Sequence, residues 1–130
     1  MAQRILCIVD DDPLVHFVTR KILKEFMPEE NIISFSHGEE MHSFLIENAN
    51  NEKKLPDIIL LDINMPEMNG IEFLEKYAAL KPNLYKSPNI FIISSSMNKS
   101  EIYSVKNDPN AAGFISKPLS MDKLEAILNH

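Results

Sequence analysis

Residues 58–70 read Ile58-Ile59-Leu60-Leu61-Asp62-Ile63-Asn64-Met65-Pro66-Glu67-Met68-Asn69-Gly70. This stretch joins a wholly apolar run to an acid and then to a polar turn that ends at a glycine. A short apolar run has the length of a strand, and a strand without polar positions is typical of a parallel sheet covered on both faces. We therefore predict a buried strand over Ile58–Leu61 with Asp62 directly after it.

Four further short runs have a similar character, and helical patterns separate them along the chain. The five predicted strands are Ile5–Val9, Asn31–Phe35, Ile58–Leu61, Ile90–Ile93 and Gly113–Ser116. Strands that alternate with helices indicate an α/β fold with a parallel sheet. Four runs are nearly unbroken apolar, as expected of strands buried on both faces, whereas residues 31–35 are the most polar and suit a strand nearer the sheet edge.

The intervening segments carry signals for five helices. Pro13 suits the first helical position after Asp12 as N-cap, and an apolar stripe follows. The stripe consists of Leu14, Phe17, Val18 and Ile22. Two pairs have the spacing of a capping residue and its reciprocal acid, namely Ser36 with Glu39 and Asn98 with Glu101. A third helix is marked by Ile71, Leu74 and Ala78, and Ser120 begins a last helix with Leu124, Ile127 and Leu128.

Composition narrows the class of protein. A chain of 130 residues with 45% hydrophobic content fits one domain over residues 1–130. The net charge of −6 leaves no cationic surplus for direct binding to nucleic acid. The single cysteine, Cys7, lies in an apolar run and has no internal disulfide partner, so we expect a reducing, cytoplasmic setting. No apolar stretch approaches the roughly 20 residues of a membrane span.

Four of the five apolar runs stop at residues that can handle phosphate or a metal ion. These residues are Asp10 and Asp11, Asp62, Ser94 and Lys117. Ligands of open α/β sheets bind outside the carboxyl ends of the strands, where the strand order reverses. A flavodoxin-like doubly wound sheet of order 2-1-3-4-5 places the first and third strands together at that point. We therefore expect all three acids to meet in one crevice.

The residue types in this crevice indicate phosphoryl transfer. Carboxylates repel each other by roughly 4 kcal/mol at about 4 Å with an effective dielectric of about 20, so a cation must compensate. Oxygen ligands favour Mg²⁺ or Mn²⁺. Asp62 could then attack a phosphoryl donor and form an acyl phosphate. Lys117 would offer a compact positive charge, and the Ser94 hydroxyl a hydrogen bond, to the transferred group.

Three segments carry a family resemblance. They are Ile8-Val9-Asp10-Asp11-Asp12-Pro13, residues 61–70 as quoted above, and Ser116-Lys117-Pro118. With these segments the chain resembles, over essentially its whole length, the CheY-like receiver domains of bacterial two-component response regulators. The middle segment is the specific one, because an acid after a buried strand followed by Met-Pro and then Gly is close to diagnostic. The other two segments alone would be weak signals.

The resemblance implies roles for individual residues. Asp62 would be the phosphoacceptor and a metal ligand, Asp11 a direct metal ligand, and Asp10 a ligand largely through water. The backbone carbonyl of Asn64 would complete the protein's share of the coordination of Mg²⁺ or Mn²⁺. Lys117 would contact the phosphate.

The resemblance also implies a switch. Ser94 falls where such domains carry Thr or Ser, and Phe114 falls where they carry an aromatic residue that changes rotamer on activation. Both residues would therefore shift the conformation of the surface formed by helix 4, strand 5 and helix 5. A histidine kinase or histidine phosphotransfer protein would donate the phosphoryl group, and a target protein would read the surface. The domain would act as a monomer or an activation-dependent dimer, and the Lys117-Pro118 bond would be cis.

Several residues have more ordinary interpretations. Asp12 could be a third metal ligand, but a helix cap before Pro13 is the preferred role. Ser95 is the alternative to Ser94, because strand ends predicted from sequence can be wrong by about 2 residues. Lys117 could be a surface cation, although its position before Pro118 favours the site. The four histidines lack metal-binding spacing, so surface or packing roles are the default.

Two other functions compete with the phosphorylation switch. A Mg²⁺-dependent phosphohydrolase of the haloacid dehalogenase type would use Asp10 as nucleophile in an Asp-x-Asp with Asp12, with Ser94 and Lys117 as later motifs. That alternative leaves the Asp62 motif unexplained. A receiver-shaped interaction module that is never phosphorylated is the other alternative, and the complete set of acids, serine and lysine argues against it.

Overall fold

The computed structural model describes residues 4–95 and 98–130. Its strands form one parallel sheet in the order β2-β1-β3-β4-β5. Their bounds are β1 Leu6–Val9, β2 Ile32–Phe35, β3 Ile58–Asp62, β4 Asn89–Ser94 and β5 Ala111–Ser116. The predicted flavodoxin-like strand order is confirmed, and β2 is an edge strand as expected.

Within the described ranges, five α-helices cover the two faces of the sheet. They are α1 Pro13–Leu23, α2 Gly38–Glu47, α3 Gly70–Leu80, α4 Lys99–Lys106 and α5 Met121–Leu128. Buried side chains of α2, α3 and α4 form one core cluster on one face, and those of α1 and α5 form a second cluster on the other. None of the helices in residues 4–95 and 98–130 has the length and apolar character needed to cross a membrane.

Helix caps mostly follow the sequence signals. The Asp12 carboxylate accepts a hydrogen bond from the Leu14 N–H at 2.9 Å, and Asn98 and Ser120 cap α4 and α5. The predicted cap at Ser36 is wrong by one residue. His37 is the N-cap of α2, and the Glu40 side chain accepts hydrogen bonds from the backbone N–H groups of Ser36 and His37.

Of the predicted apolar stripe of α1, Ile22 packs against the core, and the other three residues do not enter it. Leu14 and Phe17 are 66% and 65% exposed, and Val18 is also exposed. The buried residues of α1 are Thr19 and Leu23, so the side of the helix that faces the core is rotated relative to the predicted apolar stripe. The first turns of α1 therefore present apolar side chains to solvent.

The fifth strand also differs from expectation. Every residue of β5 is only half-buried, although an apolar run buried on both faces was predicted. The reason is its place, because β5 is the second edge of the sheet and, among the described strands, pairs with β4 alone. The short helix α4 packs against β5, and every residue of the strand remains partly accessible.

Replacing Gly70 by alanine is expected to destabilise the fold by about 1–3 kcal/mol. A Cβ atom at Gly70 would lie 2.9 Å from the Ile63 Cα and 3.0 Å from the Asp62 carbonyl oxygen. Both are backbone atoms, which cannot move away without distorting the chain. Urea unfolding measures the loss. The control is Gly38→Ala, where the nearest atom, at 3.2 Å, belongs to the flexible side chain of Met68. Equal effects of the two substitutions would contradict the packing argument.

Candidate functional site

The three acids meet at the carboxyl edge of the sheet. Val9 of β1 pairs with Leu61 of β3, so the residues that follow, Asp10 and Asp62, leave neighbouring strands side by side. Asp10 is 2% and Asp62 5% exposed, while Asp11 is open to solvent. One carboxylate oxygen from each acid lies within 4.8 Å of the other two. The crevice predicted from sequence is therefore present.

Lys117 reaches the same crevice from the end of β5. Its Nζ lies 2.7 Å from Asp10 Oδ2 and 3.4 Å from Asp62 Oδ1. Its backbone N–H donates to the Ser94 carbonyl at 2.8 Å, and the Lys117-Pro118 bond is cis as expected. A side chain 107 residues from Asp10 in sequence thus supplies a positive charge between two buried carboxylates.

Both carboxylate oxygens of Asp10 have hydrogen-bond partners. Oδ1 accepts from the Asp12 backbone N–H at 2.9 Å, and Oδ2 accepts from Lys117. The Asp12 side chain itself points to the start of α1, where it caps Leu14. The preferred interpretation of Asp12 as a cap is supported.

Burial changes the acidity of the site. Removal from water, followed by the charge of Asp10, raises the pKa of Asp62 to about 6. Lys117 and the Asn64 backbone N–H, which donates to Asp62 Oδ1 at 3.3 Å, only partly offset that rise. Burial lowers the pKa of Lys117, but its hydrogen bond to Asp10 and the charges of both acids raise it more, so the ammonium stays charged.

The loop after Asp62 is held at both ends. The Ile63 N–H donates to the Ile93 carbonyl at 3.0 Å, and the Gly70 N–H donates to the Ile63 carbonyl at 2.9 Å. Asn69 caps α3, and its side-chain oxygen accepts a hydrogen bond from the Glu72 backbone N–H. Between these anchors Glu67 has a φ of 68°, in the left-handed region that costs a side-chain-bearing residue roughly 1 kcal/mol.

The donor set fits a hard divalent cation. Within the described residues, Asp10, Asp11 and Asp62 are brought close enough for their carboxylate oxygens to share one ion. Only oxygen donors are offered, and the exposed Asp11 leaves room for water and a phosphate oxygen. Such a site suits Mg²⁺ or Mn²⁺ better than a softer metal. Asn64, whose backbone carbonyl was the fourth candidate, lies two residues after Asp62 and is itself exposed.

The two candidate switch residues lie in neighbouring strands. Ser94 is the last residue of β4 and is 1% exposed, whereas its alternative Ser95 is exposed and lies outside the strand. Phe114 is half-buried in β5 and packs against the core cluster of α2, α3 and α4. Ser94 pairs with Ser116 in the sheet, directly before Lys117.

Two features of the site were not evident from the sequence. A ring nitrogen of His16, Nε2, lies 2.7 Å from the Asp10 carbonyl oxygen, so this histidine supports the strand end that carries the acids. A groove of about 340 Å³ runs beside the site, lined by Leu14, Val15, Val18, Thr19, Ser95, Lys117, Pro118 and Leu119. The only signal for the groove was the excess of apolar residues at the start of α1.

In chelator, Asp62→Asn is expected to stabilise the protein at pH 7.5 by about 2 kcal/mol. The folded-state pKa of Asp62, about 6, lies above the ordinary aspartate value of 3.8, so the fold loses stability as the pH rises from about 4 to 6. Asparagine removes that loss, while Lys117 keeps its contact with Asp10. Thermal unfolding between pH 4 and 8 measures the effect. An equal difference at pH 4 and pH 7.5 would contradict this account.

Comparison with known proteins places this geometry in context. The model of the response regulator receiver domain family matches residues 6–129. The protein-glutamate methylesterase/protein-glutamine glutaminase of Thiobacillus denitrificans is 32% identical over 111 residues, which are 85% of this chain and 28% of that protein. Its counterpart in Ralstonia nicotianae is 30% identical over 88% of this chain and 27% of its own length. The chain thus spans less than a third of these relatives.

Solved structures agree with the fold. A two-component response regulator from Cytophaga hutchinsonii is 25% identical and superposes with a TM-score of 0.80, over 99% of this chain and 96% of that one. The chemotaxis protein CheY4 of Vibrio cholerae, at 22% identity, gives a TM-score of 0.76 over 98% of both chains. At that identity the second likeness shows the fold alone.

Proposed function

Because this chain belongs to the response regulator receiver domain family, we propose that it accepts a phosphoryl group on Asp62 from a histidine kinase or histidine phosphotransfer protein. The observation that carries the proposal is the cluster at the sheet edge. There the buried Asp62 lies 3.4 Å from the Lys117 ammonium and shares a 4.8 Å cluster of oxygens with Asp10 and Asp11. The methylesterase and glutaminase activities named above are those of the relatives.

In the proposed reaction a carboxylate oxygen of Asp62 attacks phosphorus, the bond from phosphorus to the donor nitrogen breaks, and the imidazole leaves with the electron pair. Asp11 and Asp62 would bind Mg²⁺ or Mn²⁺ directly, with Asp10 largely through water and the backbone carbonyl of Asn64 as a further ligand. When bound, the cation offsets the negative charge of the carboxylates and of the phosphoryl oxygens. Lys117 holds a positive charge beside the acceptor oxygen.

The proposed output is a shift between two conformations. A phosphoryl group on Asp62 interacts with the Ser94 hydroxyl and draws it toward the site, and Phe114 changes rotamer with it. Phe114 lies in β5 and Ser94 pairs with Ser116 of β5, so their movement would change the surface of α4, β5 and α5, which would control a target protein. The half-buried state of β5 supports this proposal, because a strand with incomplete cover can repack at lower cost.

The face of α1 supports a protein as donor. Leu14, Phe17 and Val18 are exposed beside the groove that Lys117 also lines. A partner that brings a phosphohistidine to Asp62 would bury these side chains, which a small phosphodonor would leave in water. We propose a single cytoplasmic receiver domain over residues 1–130, a monomer or activation-dependent dimer, that binds proteins. The acidic net charge of −6 disfavours direct contact with nucleic acid.

The test is to incubate the wild-type protein with acetyl phosphate and measure its intact mass, once with Mg²⁺ and once with a chelator. The expected result is one phosphoryl adduct that forms only when the cation is present. A protein that stays unlabelled with Mg²⁺, or that is labelled equally in chelator, would overturn the proposal.

A further inference from the structure

A lysine stands at an unusual place at the start of α5. Ser120 is the N-cap, and its side chain accepts a hydrogen bond from the Lys123 backbone N–H at 3.2 Å. The first turn of a helix carries partial positive charge, so a cation there is disfavoured and an acid preferred. The electrostatics of the helix therefore do not explain why a lysine stands at position 123. The contacts of Lys123 outside the helix must explain it.

The Lys123 ammonium lies against the segment that carries Lys117. Its Nζ donates to the Ser116 carbonyl at 2.9 Å, to the Pro118 carbonyl at 3.1 Å and to the Ser116 hydroxyl at 3.3 Å. These carbonyls belong to the residues directly before and after Lys117. The Lys123 side chain is half-buried, so the contacts are partly protected from water.

The backbone of Lys117 is thereby held from two sides. On one side its N–H donates to the Ser94 carbonyl at 2.8 Å, which ties the segment to the end of β4. On the other side the Lys123 ammonium joins the two flanking carbonyls. Three donated hydrogen bonds from one charged group are stronger than neutral ones and fix the direction in which the Lys117 side chain leaves the backbone.

From this geometry we infer that Lys123 is a positioning residue for Lys117, an inference that rests on the proposed phosphorylation of Asp62 for its functional effect. Lys123 contacts the backbone carbonyls on either side of Lys117. Through these contacts it keeps the Lys117 ammonium at 2.7 Å from Asp10 and 3.4 Å from Asp62. Because charge stabilisation depends on placement to within about 1 Å, a looser segment slows transfer without preventing it.

The experiment compares Lys123→Met and Lys123→Gln with the wild type and with Lys53→Met, which removes an exposed lysine from the loop before β3. The rate of Asp62 labelling is measured against phosphoramidate concentration with Mg²⁺. We expect the saturating rate to fall about tenfold in both Lys123 variants, with an unchanged half-saturating concentration. Lys123→Arg, which can donate to the same carbonyls, is expected to recover most of the rate.

A second readout does not depend on phosphorylation. The isotope-labelled ammonium signal of Lys117, followed by NMR, is expected to shift or broaden in Lys123→Met and to stay unchanged in Lys53→Met. A Lys117 signal and a saturating rate that both match wild type in the Lys123→Met and Lys123→Gln variants would overturn the inference. A wild-type protein that is never labelled, with a Lys117 signal that still moves in Lys123→Met, would overturn the proposed function and leave the positioning role standing.

Discussion

Asp62→Asn is expected to take up no phosphoryl group under conditions in which the wild-type protein takes up one. An amide oxygen is a poor nucleophile, and the substitution removes the negative charge from one of the three acids whose oxygens lie within 4.8 Å of one another. Intact-mass measurement after incubation with acetyl phosphate and Mg²⁺ gives the result. Circular dichroism shows whether the variant is folded, which we expect because its metal-free form is stabilised.

The matched control is Asp12→Asn. Asp12 lies beside the same acids, but its carboxylate caps the Leu14 N–H, and asparagine caps helices equally well. The phosphoryl adduct is therefore expected to persist in this variant. An adduct that survives in Asp62→Asn and disappears in Asp10→Asn would instead support the haloacid dehalogenase alternative.

Lys117→Met is expected to slow phosphorylation of Asp62 by about 100-fold. Methionine keeps most of the volume of the side chain, but it removes the ammonium that lies 2.7 Å from Asp10 and 3.4 Å from Asp62. The negative charge that develops on the transferred group then lacks its nearest fixed cation. Time courses of adduct formation at saturating donor and Mg²⁺ measure the rate.

Lys54→Met, in an exposed loop before β3, controls for the loss of one positive charge and is expected to react at the wild-type rate. Lys117→Met also leaves two buried carboxylates without their common partner, so its melting temperature in chelator is expected to fall. A Lys117→Met protein that is labelled as fast as wild type would show that the ammonium has no part in transfer.

Much of the fold and of the site could be predicted because both depend on local pattern. The run Ile58–Leu61 is buried throughout, and Asp62 follows it as the last residue of β3. Residues that end parallel strands must meet at one edge of a sheet. The meeting of Asp10 and Asp62 therefore followed from the order of strands alone, whereas Lys117, after the edge strand β5, reaches both acids through its long side chain.

The remaining differences arise from tertiary packing. The Leu14, Phe17 and Val18 stripe has helical spacing, but only the docking of α1 on the sheet decides that Thr19 and Leu23 face inward. Composition likewise cannot distinguish an apolar edge strand such as β5 from a central one. The contacts of Lys123 with the carbonyls beside Lys117 depend on how α5 follows β5, which spacing does not reveal.

The identity of the acceptor also bears on the alternative with Asp10 as nucleophile. Both carboxylate oxygens of Asp10 accept hydrogen bonds, one of them from the Lys117 ammonium at 2.7 Å, and Asp10 is 2% exposed. An oxygen engaged in this way is less available to attack phosphorus. Asp62 is the more weakly held of the two buried acids, because its contacts with the Asn64 N–H and the Lys117 ammonium are 3.3 and 3.4 Å long.

The most direct measurement locates the phosphoryl group in the wild-type protein. Borohydride reduces an acyl phosphate to an alcohol, so the phosphorylated aspartate becomes homoserine and can be identified by peptide mass mapping. We predict homoserine at position 62, formed only after treatment with both acetyl phosphate and Mg²⁺. Homoserine at position 10 or 11, with residue 62 unmodified, would contradict the assignment of Asp62 as the phosphoacceptor.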